Sequence, residues 1–154
     1  MLYNKIIVNQ VANYKTKILK IRWLIMITIN VQKEYEIKVD VERRIVYEKF
    51  EGMCTKEVIA QMDSDYRTKV LPLLKGKKWA KYCDMRTYKL ANSQDELNAF
   101  VQFCTDSGMA HAALIVETVI VKMQMNRVGK SVGVTPVAFT DEAEAEAYLK
   151  QSGY

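Results

Sequence analysis

The chain has 154 residues, of which 49% are apolar and 27% charged, the balance of a single globular domain. A chain of this length buries roughly 68–70% of the surface its unfolded form exposes, so it needs neither disulfides nor a structural metal to fold. Its longest apolar run, Trp23 to Ile29 with Thr28 inside it, falls well short of the ~20 residues of a transmembrane helix.

The net charge of +5 is unevenly spread. Residues 1–33 hold Lys5, Lys15, Lys17, Lys20, Arg22 and Lys33 and no acid, so the basic character belongs to the leader alone. The remainder carries slightly more acidic than basic residues and shows no charge pattern for nucleic acid. Cys54, Cys83 and Cys104 are odd in number and far apart, and His111 is the only histidine. A secreted disulfide framework and a Cys/His zinc site are both excluded as expectations, which implies a reducing cytoplasm. No cofactor is expected.

Residues 1–25 are rich in Ile, Lys, Asn and Tyr and differ in composition from the rest of the chain, which sets them apart as an N-terminal extension to a single domain over 26–154. Three readings fit them. Lys15, Lys17, Lys20 and Arg22 interleave with Ile18, Leu19, Ile21 and Trp23, as in a basic amphipathic arm that lies on a membrane or a partner. A targeting peptide is the second, although no small-residue cleavage site comes after the apolar run. The third, which we favour, is translated upstream sequence, with Met26 as the natural start.

From Met26, apolar residues alternate through Ile27, Ile29 and Val31 and on through Tyr35, Ile37, Val39 and Val41, which reads as one half-buried strand. Glu42–Arg44 is a polar turn, and a second strand begins at Ile45 and ends at Gly52. The tight connection predicts an antiparallel pair. Thr55 is a helix N-cap with Glu57 in the first turn, and Val58, Met62, Tyr66 and Val70 form one apolar stripe. After Pro72 and the loop Lys75–Lys78 comes a central strand, Trp79 to Asp84, which opens into a polar loop over Asp84–Ser93. Ser93–Glu96 reads as a capping box for a helix carrying Leu97, Phe100, Val101 and Cys104. Ala112–Val116 is a buried parallel strand. Val119–Val128 fits both a strand alternation and a helical stripe, and we read it as helix. Val134–Phe139 is a last strand, placed at an edge or starting late because of Pro136. Thr140 or Asp141 caps an acidic final helix ended by Gly153. The expected fold is α/β, with a single mixed, mostly parallel sheet of about five strands. It starts with an antiparallel pair, and about four helices pack on it.

That order, with the phrase Phe139-Thr140-Asp141-Glu142-Ala143-Glu144-Ala145 and the Tyr148-Leu149 pair, resembles the STAS-like domains related to bacterial anti-sigma-factor antagonists. Those domains share a broad architecture with the CRAL-TRIO lipid-carrier fold. The resemblance covers residues 35–153 and also draws on the opening strand pair with Gly52 and the central strand ending in Asp84. It implies a small cytoplasmic bacterial domain that works by binding a protein partner. In anti-sigma-factor antagonists a phosphorylatable Ser lies where the central strand meets the next helix, in an Asp-Ser-Ser-Gly-like phrase. Here that junction reads Asp84-Met85-Arg86-Thr87, with Ser93 at the helix start, and the Ser-Ser-Gly phrase is absent.

Asp84, Arg86, Thr87 and Ser93 are therefore the candidate ligand or phospho-switch residues. Ligands favour the carboxyl ends of parallel strands, and an Arg with a hydroxyl near a helix N-terminus suits a phosphate or carboxylate. The plainer alternative is an Asp–Arg pair that fixes the loop. Met123 and Met125 are candidates for lining an adaptable pocket for a small apolar or anionic ligand, against core filling. Cys83, Cys104 and His111 read as core, core and a loop or edge residue. Lys75, Lys77, Lys78 and Lys81 around Trp79 and Tyr82 read as a solvated loop rather than a nucleic-acid platform. The glutamates of the last helix read as a solvated face. No phosphate-binding loop, nucleophile elbow or metal motif occurs, and with one His no catalytic pair assembles, so an enzyme is not expected.

Overall fold

In the computed structural model, residues 26–31, 33–90, 92–119, 122 and 136–154 are described. Among the described residues six strands form one sheet in which every neighbour in space is also the next in sequence. Met26–Val31 (β1), Tyr35–Asp40 (β2) and Ile45–Cys54 (β3) make an antiparallel meander. Trp79–Leu90 (β4), Met109–Ile115 (β5) and Val137–Phe139 (β6) are added parallel to β3 and to one another.

The mostly parallel mixed sheet is as expected, with three differences. The stretch read as one strand over 27–41 is two, because the chain bends at Lys33–Glu34 and turns back, so that Met26 faces Asp40. A period of two persists through a short hairpin and does not reveal the turn. Six strands result rather than five. Next, β3 does not stop at Gly52. It runs to Cys54 with Gly52 at φ +88, a backbone conformation that costs glycine little. Finally, β4 does not end at Asp84 but continues to Leu90 alongside β3.

That last continuation contains a bulge. Lys49 pairs with Asp84 and Glu51 with Thr87, so β4 has one extra residue there. A bulge of this kind bends the strand and re-aims its side chains. Before it, Trp79, Lys81 and Cys83 lie on the inward phase of the strand, and beyond it Tyr88 packs against the main core.

The helix after β3 begins as expected. Thr55 Oγ1 accepts the Val58 N–H at 3.4 Å and caps Lys56–Asp65 (α1). The chain continues through a π-helical segment, Tyr66–Val70, into the short Leu71–Leu74 (α2). The π segment is a consequence of the stripe. Residues four apart drift by about 40° per step on a 3.6-residue helix. The wider π turn returns Tyr66 and Val70 to the buried side on which Met62 lies. Gln94–Asp106 (α3) covers the same face of the sheet, with Phe100 and Cys104 buried. Glu142–Gln151 (α4) is capped by Asp141, whose Oδ1 accepts the Glu144 N–H at 3.0 Å.

The two faces of the sheet are filled differently. On one, Tyr35, Ile37, Val39, Phe50, Trp79 and Leu114 pack against Met62, Tyr66, Val70 and Phe100 of α1, the π segment and α3. On the other, a small cluster of Ile45, Ala80, Ala113 and Ile115 packs against Ala145 and Leu149 of α4. The alanines let α4 approach the sheet closely. Beyond α4, toward β2 and the bulge of β4, this second face is polar. Among the described residues no helix is long and apolar enough to cross a membrane.

Met123 and Met125 lie outside the described residues, as does most of the segment read as helix over 119–128. Of it, Val119 and Lys122 are helical, with the Lys122 N–H donating to Thr118 O at 3.0 Å. His111 is not in a loop but in β5, where its Nδ1 lies 3.1 Å from the Tyr148 hydroxyl.

Candidate functional site

The polar half of the second face forms a hollow of about 480 Å³ between β2 and α4. Strand alternation builds its floor. On β2, Glu36, Lys38 and Asp40 point away from the core that holds Tyr35, Ile37 and Val39. On β3 and β4, Tyr47, Lys49, Tyr82 and Asp84 do the same. The rings of Tyr47 and Tyr82 lie 5.2 Å apart at 41°. Glu142 and Glu146 of α4 form one wall, and Arg43 of the β2–β3 turn closes an end.

Arg43 holds this end together. Its two guanidinium nitrogens donate to Tyr47 Oη at 2.8 Å and to Glu146 Oε2 at 2.9 Å, and Tyr47 itself donates to Glu146 Oε1 at 3.0 Å. At the other end Arg86 grips Asp84 with a fork, Nε to Oδ1 at 2.9 Å and Nη2 to Oδ2 at 2.6 Å. The same Nη2 reaches Glu142 Oε1 at 2.8 Å. Burial opposes the Asp84 carboxylate, but Arg86 outweighs it and holds the group below the usual carboxylate range.

Glu142 and Glu144 stay exposed, as expected of a solvated face, although Glu142 also reaches Arg86; Glu146 is half-buried and pairs with Arg43. Sequence reasoning missed Tyr47, Asp40, Arg43 and Tyr82 as lining residues. Their signal was present in the alternation of β2 and β3, where the outward positions carry tyrosine and mixed charge. What was not visible is that α4 covers only part of that face.

Of the four residues expected at the junction, the structure brings Asp84 and Arg86 together. Thr87 is drawn away, its Oγ1 donating to Phe50 O at 2.6 Å. Ser93 is 1% exposed, and its hydroxyl donates to Cys54 O at 2.6 Å. Ser93 is the N-cap of α3 by position only. Its side chain makes no cap bond, and Glu96 pairs with Lys56 instead, so the expected capping box does not form. Both hydroxyls pin the β4–α3 connection to β3.

Under the floor, on the opposite face, lies a buried ionic group. Lys81 is 6% exposed and Glu48 4%. Lys81 Nζ is 3.0 Å from Glu48 Oε1, and the Tyr66 hydroxyl donates to the same oxygen at 2.5 Å. The ammonium also lies over the rings of Phe100 (4.7 Å) and Tyr66 (5.0 Å) and 3.8 Å from Cys104 Sγ. Lys81 is therefore not a solvated basic flank. It sits on the inward phase of β4, between Trp79 and Cys83. Burial works against the ammonium, but Cys104 and Glu48 hold its pKa above the ordinary lysine value. Burial pushes the Cys104 thiol up to about 12 and Cys54 up to about 11, which keeps both as unreactive thiols. Among the described residues no group of three or more His, Cys, Asp or Glu side chains is placed to hold a metal ion.

No family model and no curated protein sequence matches the chain. Among solved structures it is similar to an uncharacterised protein of the DUF3478 family with a SpoIIAA-like fold, from Shewanella loihica PV-4. The match covers 80% of this chain and 91% of that one, with a TM-score of 0.57 and 14% sequence identity. A likeness at that identity concerns the fold alone. The chain has the SpoIIAA-like, STAS-like α/β fold that its strand order and its closing Phe139–Leu149 phrase resemble.

Proposed function

We propose that the chain is a non-enzymatic interaction module, acting in a bacterial cytoplasm, that docks a protein partner on the open half of its second sheet face. The observation that carries this reading is the hollow between β2 and α4. It presents a paired tyrosine surface, a preset Arg86–Asp84 fork and an Arg43–Glu146 pair, with no nucleophile–base pair among its lining residues. Aromatic residues and arginines are the groups that dominate docking energetics in protein interfaces. Three buried free thiols fit a reducing compartment. A phosphate switch, if the module has one, falls to Thr87, since Ser93 is sealed against Cys54.

The volume of the hollow supports a second reading, a small-ligand site, because sites of about 300–1,000 Å³ suit such ligands. Its charged lining favours a polar or charged ligand over a lipid.

Both readings are tested by purifying the wild-type chain and the variants Arg86→Glu and Tyr47→Ala from the native host. A photo-crosslinking residue at position 49 reports what lies in the hollow. A protein captured and crosslinked by the wild type and lost from both variants supports docking. A protein set unchanged by the variants refutes it. A small adduct seen by native mass spectrometry on the wild type alone favours the second reading.

A further inference from the structure

In and around the hollow, with Glu51 and Arg86 outside its lining, charge is not balanced. Lys38 pairs with Glu36, Lys49 with Glu51 and Arg43 with Glu146, while Arg86 is shared by Asp84 and Glu142. Each of these four cations is taken, and six carboxylates face them once Asp40 is included. Asp40 is the residue that stands apart. It is 5% exposed and lines the hollow, and among the described residues no cation pairs with it. One of its oxygens, Oδ1, accepts the backbone N–H of Arg43 at 2.9 Å and holds the turn. The other, Oδ2, accepts no hydrogen bond among the described residues and is not sealed from the hollow, so a cation can reach it.

The surroundings fit a cation with an apolar stem. Met26 pairs across the sheet with Asp40 and lines the same hollow, supplying an apolar contact. Tyr47 and Tyr82 present ring faces, which attract ammonium and guanidinium groups. Burial first raises both phenols; at Tyr47 Glu146 adds to this and Arg43 opposes it, and at Tyr82 Glu142, Glu146 and Asp84 add to it and Arg86 opposes it.

We propose that the hollow receives a basic side chain, lysine or arginine, from an extended segment of a protein partner, with Asp40 as its anion and Tyr47–Tyr82 as its aromatic wall. The inference rests on the docking reading above and narrows it to a basic partner. It makes Asp40 a specificity residue, since a carboxylate left without a counter-ion also repels acidic segments.

The test is amide chemical-shift mapping of the ¹⁵N-labelled full chain, titrated with the peptide Ac-GRKRKG-NH2, its acidic counterpart Ac-GEDEDG-NH2, and spermidine. The variant is Asp40→Asn, whose side-chain oxygen can still accept the Arg43 N–H and so preserves the turn. Tyr82→Leu is the second variant, and the unperturbed remainder of each spectrum is the check on folding. The basic peptide is expected to shift the amides of Asp40, Tyr47 and Tyr82 in the wild type and to bind about tenfold more weakly to Asp40→Asn, the loss of one charge-assisted contact. Binding should weaken further as salt is raised, and the acidic peptide should leave these amides unmoved. The proposal is overturned if the basic peptide shifts other residues, if Asp40→Asn binds as the wild type does, or if the acidic peptide binds equally. Spermidine binding as tightly as the peptide, with the same dependence on Asp40, would assign the hollow to a small polyamine and also overturn it. A captured partner lost from Arg86→Glu but indifferent to Asp40→Asn and to the basic peptide removes this inference and leaves the docking reading standing.

Discussion

Replacing Lys81 by Met should be among the most damaging single changes in the chain, and the reason lies in what it leaves behind. Met keeps most of the apolar stem of Lys but loses the ammonium's contacts to Tyr66, Phe100 and Cys104. It removes the cation that lies 3.0 Å from the Glu48 carboxylate, a group that is 4% exposed and is then left to the Tyr66 hydroxyl. Breaking a buried pair from one side costs about 3–5 kcal/mol. For a domain of this size that lowers Tm by about 6–20 °C. Removing both charges is different. Lys81→Met with Glu48→Leu deletes the desolvation penalty of both ions, and such replacements are neutral or stabilising by about 1–4 kcal/mol. Thermal and urea unfolding of the three proteins, followed by circular dichroism, measures all of this. A cost below about 1 kcal/mol for Lys81→Met, or a double variant as unstable as the single, would refute the buried-pair account.

Other consequences of the structure are as direct. Arg86→Ala should cost less than about 1 kcal/mol in urea unfolding, because Arg86 and its partner Glu142 are about half exposed to solvent, so its effect on partner binding can be read without loss of fold. Asp84 is held below the usual carboxylate range in the folded chain. Its contribution is therefore present above the unfolded pKa and disappears as pH falls through the folded one. Asp84→Asn should flatten acid unfolding below about pH 4. Ser93→Ala removes the bond to Cys54 O and should cost about 1 kcal/mol while leaving secondary structure intact by circular dichroism. Cys83 and Cys104 should resist the thiol reagent DTNB at pH 8 in the native chain and react only at the rate of unfolding. Both are buried, and burial holds each thiol above its ordinary pKa.

Much of the fold was legible because its elements obey simple local rules. The Thr55 and Asp141 caps, the Met62–Tyr66–Val70 stripe and the outward–inward alternation of Tyr35–Val39 are all readable by period and end chemistry. The misses have physical causes of their own. The β1–β2 hairpin escaped because alternation carries no sign of direction. The continuation of β4 past Asp84 escaped because Asp84, Arg86 and Thr87 are polar, and polar residues on an outward-facing strand with a bulge look like a loop. Ser93 satisfied the pattern of a capping box, yet its hydroxyl turns to donate to Cys54 O and accepts no N–H of the helix, which no local pattern reveals. The hollow itself was only half visible. Asp84 and Arg86 stood out as a pair of opposite charges two residues apart, whereas Asp40, Tyr47 and Glu146 meet only because a turn, a strand and the last helix converge. Lys81 shows the limit most plainly. A lysine at an inward strand position is read as exposed until its carboxylate, 33 positions earlier in the chain, is known.

The order of the sheet has a bearing on synthesis as well as on shape. Because each strand pairs with the one made just before it, the sheet can be extended in one direction as the chain leaves the ribosome, with no strand waiting for a distant partner. The meander of β1, β2 and β3 closes first through short turns, at small loop-closure cost. It then stands with β3 as a bare edge while α1 and the π segment are made. Glu48 waits on that edge as an unpaired carboxylate until β4 delivers Lys81, so the interval between the third and fourth strands is the point at which an arrested or truncated chain is most exposed to mispairing.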